Sequence, residues 1–282
     1  MNNKVEFFCP HWGSESLTFT TFLEEVKQAG YDGVEMGLPL NKEERKTIVD
    51  AINGMGLKLI AQHWETVDVD FETHLFNYKK RLNNLAAAHP LFINTQTGKD
   101  YYSFEQNSIL IKAATEISEA TGIKIVHETH RGKFSFAAHV TKTYLDKIPS
   151  LQLCLDISHW CCVAETMLDD QREAVEKAIE HTRHIHSRIG FTEGPQVMDP
   201  RAPEWNDIVE KHIGWWQRVI DKNHASGVSS TITAEFGPFP YLQHLPFTQM
   251  PIYSQWDVNL YMMELLRKRF MVKFVDTGLI KP

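Results

Sequence analysis

Cysteine is scarce in this sequence, and long apolar runs are absent from it. Only four cysteines occur among 282 residues, no CxxC pair is present, and Cys161 and Cys162 are adjacent. Because adjacent cysteines can hardly bridge each other without strain, we expect reduced thiols and a cytoplasmic protein. No window approaches about 18 uninterrupted apolar residues, and the N-terminus has no basic segment followed by an apolar one, so neither a membrane span nor a secretion signal is expected.

An excess of positive charge is lacking as well. The formal net charge is −7, whereas proteins that grip a nucleic-acid backbone need clustered lysine and arginine. No GxGxxG motif follows the first apolar run, which argues against a dinucleotide-binding fold. These absences favour a small molecule over a nucleic acid as the partner.

Short apolar runs alternate with amphipathic stretches along the whole chain. The predicted strands cover residues 5–10, 33–36, 57–62, 91–96, 123–128, 151–156, 183–187 and 230–235. The predicted helices cover residues 16–29, 41–55, 71–88, 103–120, 137–147, 171–181, 204–222 and 258–269. Strict alternation predicts a parallel sheet with helices outside it, and eight repeats predict closure into a (β/α)8 TIM barrel. No linker-like stretch divides the chain, so we expect one α/β domain over residues 1–282, with the tail 271–282 unassigned.

Four runs between residues 123 and 235 end on potential metal ligands, namely Glu128, Asp156, His186 and Glu235. Parallel strands of a closed barrel all finish on one face, so these side chains are expected to converge there. Three carboxylates and an imidazole would repel one another without a cation. The donor set predicts one divalent metal ion, with Mn²⁺ or Mg²⁺ favoured and Co²⁺ or Zn²⁺ also feasible, and with two open positions for adjacent substrate oxygens.

Motifs at these strand ends resemble the xylose-isomerase-like barrel superfamily. They are VHETHRG (126–132), LDISHW (155–160), HIHSR (184–188) and AEFGP (234–238). The resemblance implies metal ligands in the order Glu, Asp, His, Glu, which match Glu128, Asp156, His186 and Glu235. It also implies that the histidine of a DxxH motif, here His159, contacts the substrate.

The superfamily contains sugar isomerases and epimerases, inosose dehydratase and endonuclease IV. The resemblance implies isomerisation or epimerisation of a ketose or related small sugar, free or phosphorylated, through a metal-stabilised enediolate, with Glu128 and Glu235 as the catalytic acid–base pair. A metal-dependent dehydratase of an inosose-like sugar and a non-catalytic sugar-binding barrel remain alternatives. An endonuclease IV-like phosphodiesterase is disfavoured because the segment SRIGFTEGPQV (187–197) lacks the DxH of that enzyme. Pairing of two copies through loops at the barrel mouth is left open.

Further candidates for substrate contact surround the predicted ligands. His130 and Arg131 follow Glu128, and Arg188 follows His186. Either arginine could hold a carboxylate, a phosphate or sugar hydroxyls, or could form a salt bridge at the rim.

Aromatic residues near the strand ends form a second group of candidates. His63, Trp12 and Trp160 belong to His-Trp pairs that follow predicted strands; they would either contact a sugar ring or pack beneath the loops. Histidines on predicted helices, among them His139 and His212, are expected to face solvent.

Overall fold

Eight parallel strands close into a barrel in the computed structural model, which describes residues 4–271. The strands are β1 (Val5–Pro10), β2 (Gly33–Met36), β3 (Lys58–His63), β4 (Ile93–Thr95), β5 (Ile125–Glu128), β6 (Leu153–Leu155), β7 (Thr182–His186) and β8 (Ser230–Thr233). Each strand pairs with its neighbour in sequence, and β1 pairs with β8 in parallel register to close the ring. The predicted (β/α)8 fold is confirmed. The predicted limits of the domain, at residues 1 and 282, and the tail beyond residue 271 lie outside the described residues.

Helices follow the strands and cover the outside of the barrel. They are α1 (Phe19–Gln28), α2 (Lys42–Gly54), α3 (Phe71–Ala86), α4 (Phe104–Thr121), α5 (Ala138–Lys147), α6 (Ser158–Ala164), α7 (Arg172–His181), α8 (Asn206–Ala225) and α9 (Gln255–Met271). A short 3₁₀ turn, Pro203–Trp205, leads into α8. None of the helices in the described part of the chain is long and apolar enough to span a membrane.

Local signals in the sequence set several helix ends. The side chain of Asn41 accepts hydrogen bonds from the backbone N–H groups of Glu43 and Glu44, as expected for an N-cap residue. Ser103 and Gln106 form a reciprocal capping box at the start of α4. Gly122 ends α4 in the left-handed conformation, with φ of 72°, which glycine adopts without a steric penalty.

The apolar faces of the helices pack against the outer faces of the strands. His212, on α8, is fully buried in this layer, which corrects the expectation that it faces solvent. Its Nδ1–H donates to the carbonyl of Ile208 at 2.9 Å, and its Nε2 accepts from the amide of Gly190 at 3.2 Å. Both ring nitrogens are thereby satisfied, so the ring packs as an apolar side chain would. His139, at the start of α5, is exposed as expected.

Candidate active site

Glu128, Asp156, His186 and Glu235 converge at the carboxyl end of the barrel. One ligand atom from each of the four lies within 4.8 Å of the others, and all four side chains are buried. Glu128 and His186 are the last residues of β5 and β7, Asp156 directly follows β6, and Glu235 lies just beyond β8. The ends of four consecutive strands therefore bring together residues that are far apart in the sequence.

The donor set of this cluster suits a divalent cation. Nδ1 of His186 lies 2.9 Å from Oε2 of Glu235 and 3.9 Å from Oε1 of Glu128. This nitrogen is buried, and it forms no hydrogen bond of acceptable geometry with any residue in the described part of the chain. A buried imidazole nitrogen that faces two carboxylates can share a cation with them, and oxygen-rich sites with one imidazole fit Mn²⁺ or Mg²⁺.

Crowding of the carboxylates perturbs their acidity. Burial raises the pKa of Glu128 to about 8, with Glu235 and Asp156 adding to the rise and His186 opposing it. Burial also raises the pKa of Asp156, against the opposing charge of Arg188. For Glu235 burial acts in the same direction, but the effects of His186 and Arg188 together outweigh it and lower the pKa. The cluster therefore stores like-charge repulsion that a bound cation would relieve.

Side-chain amides orient the two glutamates. Nε2 of Gln62, on β3, donates to Oε1 of Glu235 at 2.9 Å. Nε2 of Gln96, just after β4, lies 3.3 Å from each carboxylate oxygen of Glu128, and Nδ2 of Asn94 lies 3.5 Å from one of them. Sequence reasoning did not single out these amides as partners of the glutamates. Their signal was polar residues inside otherwise apolar strands.

A fifth acidic residue, Glu35 on β2, lies inside the barrel beside the cluster and is 1% exposed. Its carboxylate oxygens lie 3.0 Å from Nε2 of His184 and 3.0 Å from Nε2 of His186. Burial alone would raise the pKa of Glu35, but the charges and hydrogen bonds of His186 and His184 bring it well below its usual value. Sequence reasoning missed this residue, because one glutamate within a strand of four carries no distinctive pattern.

Arg188 forms a buried ion pair with Asp156 beside the cluster. Its guanidinium NH2 group contacts Oδ2 of Asp156 and donates to Nε2 of His159 at 2.7 Å. The guanidinium carbon also lies 4.7 Å from the centre of the Tyr241 ring, within cation–π range. His159 stacks near His130, with ring centres 4.0 Å apart. The guanidinium of Arg188 therefore contacts both residues of the predicted DxxH motif, Asp156 and His159.

A cavity of about 390 Å³ opens above the cluster. Its lining residues come from loops and strand ends around the mouth: His11, Trp12, Glu15, Met36, Gly37, Gln62, Trp64, Gln96, Glu128, His130, Arg188, Glu235 and Tyr241. Among the residues predicted to contact substrate, the structure brings Trp12, His130 and Arg188 to this cavity. Trp64 and Tyr241 supply aromatic surface that the prediction did not assign.

His63 requires a correction. It is fully buried, with Nδ1 2.8 Å from Oγ1 of Thr95 and Nε2 2.7 Å from Oγ1 of Thr66, and it does not line the cavity. The sequence predicted that this strand ends at Gln62, but β3 extends through His63. Side chains alternate along a strand, so Gln62 points into the barrel and His63 points towards the helices.

Trp160 is likewise placed away from the cavity. It lies in the first turn of α6, fully buried, and its Nε1–H donates to the carbonyl of Ser135 at 2.8 Å. The helix α6 begins at Ser158, two residues after the DxxH aspartate, where the sequence predicted a loop, and this turns Trp160 into the core.

Arg131 lies at the rim and not in the cavity wall. It is exposed, and its guanidinium carbon lies 5.3 Å from the centre of the Tyr241 ring. Arg131 and Arg188 thus share one aromatic partner, although only Arg188 lines the cavity.

Solved structures with similar folds include three from bacteria. The apo 3-keto-D-glucoside 4-epimerase YcjR of E. coli is 13% identical, with a TM-score of 0.62, covering 94% of this chain and 100% of its own. A probable 3-DHS dehydratase of Bacillus anthracis, AsbF, is 15% identical, with a TM-score of 0.55 and coverage of 93% and 98%. A xylose isomerase-like TIM barrel protein of Mycobacterium smegmatis in complex with magnesium is 9% identical, with a TM-score of 0.57 and coverage of 94% and 97%. At these identities the similarities show the shared fold alone.

Sequence comparison assigns the family. No curated protein sequence matches the chain. The family model for xylose isomerase-like TIM barrels matches residues 23–189, more than half of the chain, and this match includes the ends of β5, β6 and β7. The protein therefore belongs to the xylose isomerase-like TIM barrel family.

Proposed function

We propose that the protein is a divalent-metal-dependent isomerase or epimerase that acts on a ketose or a related small sugar. The observation that carries this proposal is the convergence of Glu128, Asp156, His186 and Glu235 within 4.8 Å of one another. Two of the four, Glu128 and Glu235, also line the cavity and are therefore accessible to a substrate. The similarity of the fold to a 3-keto-D-glucoside 4-epimerase supports the choice of a sugar as substrate.

The four residues of the cluster would hold the cation. When bound, a divalent cation supplies Lewis acidity, which polarises a substrate carbonyl and stabilises negative charge on its oxygen. Glu128 and Glu235 act as the acid and base of the reaction. One carboxylate removes the proton from the carbon beside the carbonyl, the C–H electrons pass into an enediolate, and the other carboxyl group returns a proton.

The surroundings of the glutamates prepare them for this exchange. Gln62 on β3 and Gln96 just after the neighbouring β4 donate hydrogen bonds to the two carboxyl groups and orient them. Trp12 and Trp64 line the cavity and present apolar surface that excludes water from a bound sugar. Low water access also protects a reactive enediolate from side reactions.

The proposal is tested by exchange of a carbon-bound hydrogen with solvent. Wild-type protein loaded with Mn²⁺ or Mg²⁺ is incubated in D₂O with a panel of free and phosphorylated ketoses, and deuterium incorporation is followed by NMR. We expect incorporation into at least one sugar, its loss on addition of chelator, and a fall of about 10²–10⁴-fold in Glu235→Gln. The exposed Glu119→Gln on α4 is the matched control. Full turnover and exchange in Glu235→Gln would remove this residue as the base.

A dehydratase reaction shares the first proton transfer and is separated by the product. The similarity of the fold to a probable 3-DHS dehydratase makes this the second candidate. Mass spectrometry of the product decides between them, since an isomer or epimer keeps the mass of the substrate and elimination lowers it by one water.

A further inference from the structure

We infer that Glu35 is a positioning residue that holds His186 in the tautomer needed to bind the cation. The inference rests on the proposed function, because it assigns Nδ1 of His186 to the metal. It concerns a residue outside the predicted ligand set, on β2, which is separated from β7 by two other strands of the barrel.

Both carboxylate oxygens of Glu35 are saturated with donors. Oε1 lies 3.0 Å from Nε2 of His186 and accepts from Nδ2 of Asn94 at 2.9 Å. Oε2 lies 3.0 Å from Nε2 of His184 and accepts from the hydroxyl of Thr233. All five side chains are buried, so these contacts are shielded from water. A carboxylate with four donors has one stable orientation.

The contact with Glu35 decides which nitrogen of His186 carries the proton. An ionised carboxylate only accepts hydrogen bonds, so Nε2 of His186 must be the N–H donor. A cation that binds at Nδ1 displaces any proton from that nitrogen and takes its lone pair, while Nε2 keeps its N–H. Nδ1 is the atom that faces Glu128 and Glu235 in the cluster. Glu35 thereby holds the N–H on Nε2 and leaves Nδ1 as the nitrogen that would bind the cation.

The opposite tautomer of His186, with N–H on Nδ1, cannot bind a cation through that nitrogen. It would place N–H on Nδ1, where Oε2 of Glu235 is 2.9 Å away but hydrogen-bond geometry is not met with any described residue. It would also turn the lone pair of Nε2 against Oε1 of Glu35 at 3.0 Å, with Nδ2 of Asn94, 3.1 Å away, as its donor. With a cation at Nδ1, only the tautomer with N–H on Nε2 avoids a lone pair that opposes a buried carboxylate.

Glu35 acts through His186 and not on the substrate. It does not line the cavity, and His186 lies between it and the ligand atoms of Glu128 and Glu235. Carboxylates that accept a hydrogen bond from a metal-binding histidine fix its tautomer and orientation, and their loss typically lowers metal affinity about 10–100-fold.

The first test is the affinity of the substrate-free protein for Mn²⁺, measured by titration calorimetry. In Glu35→Gln we expect binding about 10–100-fold weaker than in the wild type. The matched control is Thr231→Val, which removes a buried hydroxyl 2.8 Å from Nδ1 of His184 and leaves Glu35 and His186 in place. Unchanged Mn²⁺ affinity in a folded Glu35→Gln protein, or an equal loss in Thr231→Val, would overturn the inference.

A second measurement needs no folded variant of Glu35. Wild-type protein with ¹⁵N-labelled histidine, saturated with diamagnetic Mg²⁺, is studied by ¹⁵N–¹H NMR, and the signals of His186 are identified by their absence in His186→Asn. We expect the proton of His186 on Nε2. A proton on Nδ1 would overturn the inference even if Glu35→Gln does not fold.

Neither measurement depends on turnover. A protein that exchanges no hydrogen of any sugar defeats the proposed function, and the tautomer of His186 and the effect of Glu35→Gln on Mn²⁺ affinity still decide the inference. Conversely, an active enzyme whose Mn²⁺ affinity ignores Glu35→Gln keeps its function and loses this role for Glu35.

Discussion

Nε2 of Gln62 donates a hydrogen bond of 2.9 Å to Oε1 of Glu235 across the inside of the barrel. The two residues are 173 positions apart and lie at the ends of β3 and β8, which are not neighbours in the ring. The bond therefore crosses the mouth of the barrel instead of following one edge of it. It orients the carboxylate that we propose as a catalytic base, and its donor is an uncharged amide.

Replacing Gln62 by methionine removes this bond at nearly constant volume. We expect metal affinity or the rate of substrate hydrogen exchange to fall about 10–100-fold, because Glu235 loses the group that orients it. Calorimetric titration with Mn²⁺ and the NMR exchange assay measure the two effects. Gln217→Met, on the outer face of α8, is the control. Wild-type values of both quantities in Gln62→Met would show that the bond has no part in the site.

Arg188→Met is expected to destabilise the metal-free protein strongly. Arg188 is 1% exposed and its ion-pair partner, Asp156, is fully buried, so the substitution leaves an uncompensated carboxylate in the interior. Loss of one partner of such a pair costs about 3–5 kcal/mol of unfolding free energy. Chemical denaturation in the presence of chelator measures this value.

The control for Arg188 is a surface pair of the same type. Arg201 and Asp199 are partly exposed, so Arg201→Met should cost no more than about 1 kcal/mol. Adding Asp156→Asn to Arg188→Met should destabilise by less than the sum of the two single changes, since they remove the same contact. Additive losses would contradict the buried pair.

Gly37→Ala is expected to weaken substrate binding by displacing Trp64. A Cβ at Gly37 would lie 2.7 Å from two ring atoms of Trp64, a cavity residue that is 45% exposed. If one or two CH groups of a sugar lose contact with the indole, KM should rise roughly 4- to 15-fold at about 0.8 kcal/mol each, with little change in kcat. Steady-state kinetics measure both constants.

Gly214→Ala is the control for this glycine substitution. Apart from its chain neighbours and the backbone of its own helix, no heavy atom of the described chain lies within 4 Å of a Cβ at Gly214, which is an exposed position inside α8. The change should leave KM unaltered and raise the unfolding free energy by about 0.5–1 kcal/mol. A KM for Gly37→Ala equal to that of Gly214→Ala would contradict the role of Trp64.

The buried His212 is expected to contribute to the loss of unfolding free energy of this protein at acid pH. Burial lowers its pKa from the ordinary 6.5 to about 4, against a small opposing effect of the hydrogen bond to Ile208. Between these two values the unfolded chain binds a proton that the folded chain does not, so stability falls as the pH falls through this window. The loss approaches roughly 3 kcal/mol at the acid end.

His212→Gln should therefore show a shallower fall in unfolding free energy between about pH 6.5 and pH 4 than the wild type. Urea denaturation at a series of pH values measures the slope, and the exposed His139→Gln serves as the control. Other buried histidines contribute equally to both proteins, so the difference isolates His212. Parallel slopes would mean that His212 already titrates normally in the folded protein.

The barrel and its strand ends were predictable because both depend on local pattern. Eight apolar runs separated by amphipathic stretches leave few ways to bury the apolar faces, and closure places every strand end on one face. Glu128, Asp156, His186 and Glu235 each end such a run, so the sequence alone indicated that they share a face. Their separation of less than 4.8 Å is a property of the folded barrel.

A strand boundary shows how a single position changes the prediction. With β3 ending at Gln62, His63 is expected at the mouth, whereas the strand that includes His63 points Gln62 inward and His63 outward. Side-chain direction alternates along a strand, so a residue included in the strand next to an inward-pointing one must point outward, whereas a residue in the following loop is not held to this alternation. In the same way, the short helix α6 redirects Trp160 from the mouth to the core.

The sequence by itself determined the fold class, the face on which chemistry gathers and the four candidate ligands, since each follows from local periodicity and residue type. Only the tertiary structure decided that Glu35 contacts His186, that Gln62 holds Glu235 and that Arg188 is paired with Asp156. These contacts cross the barrel or join separate loops. Their partners depend on the register and closure of all eight strands, which no local stretch of the chain encodes.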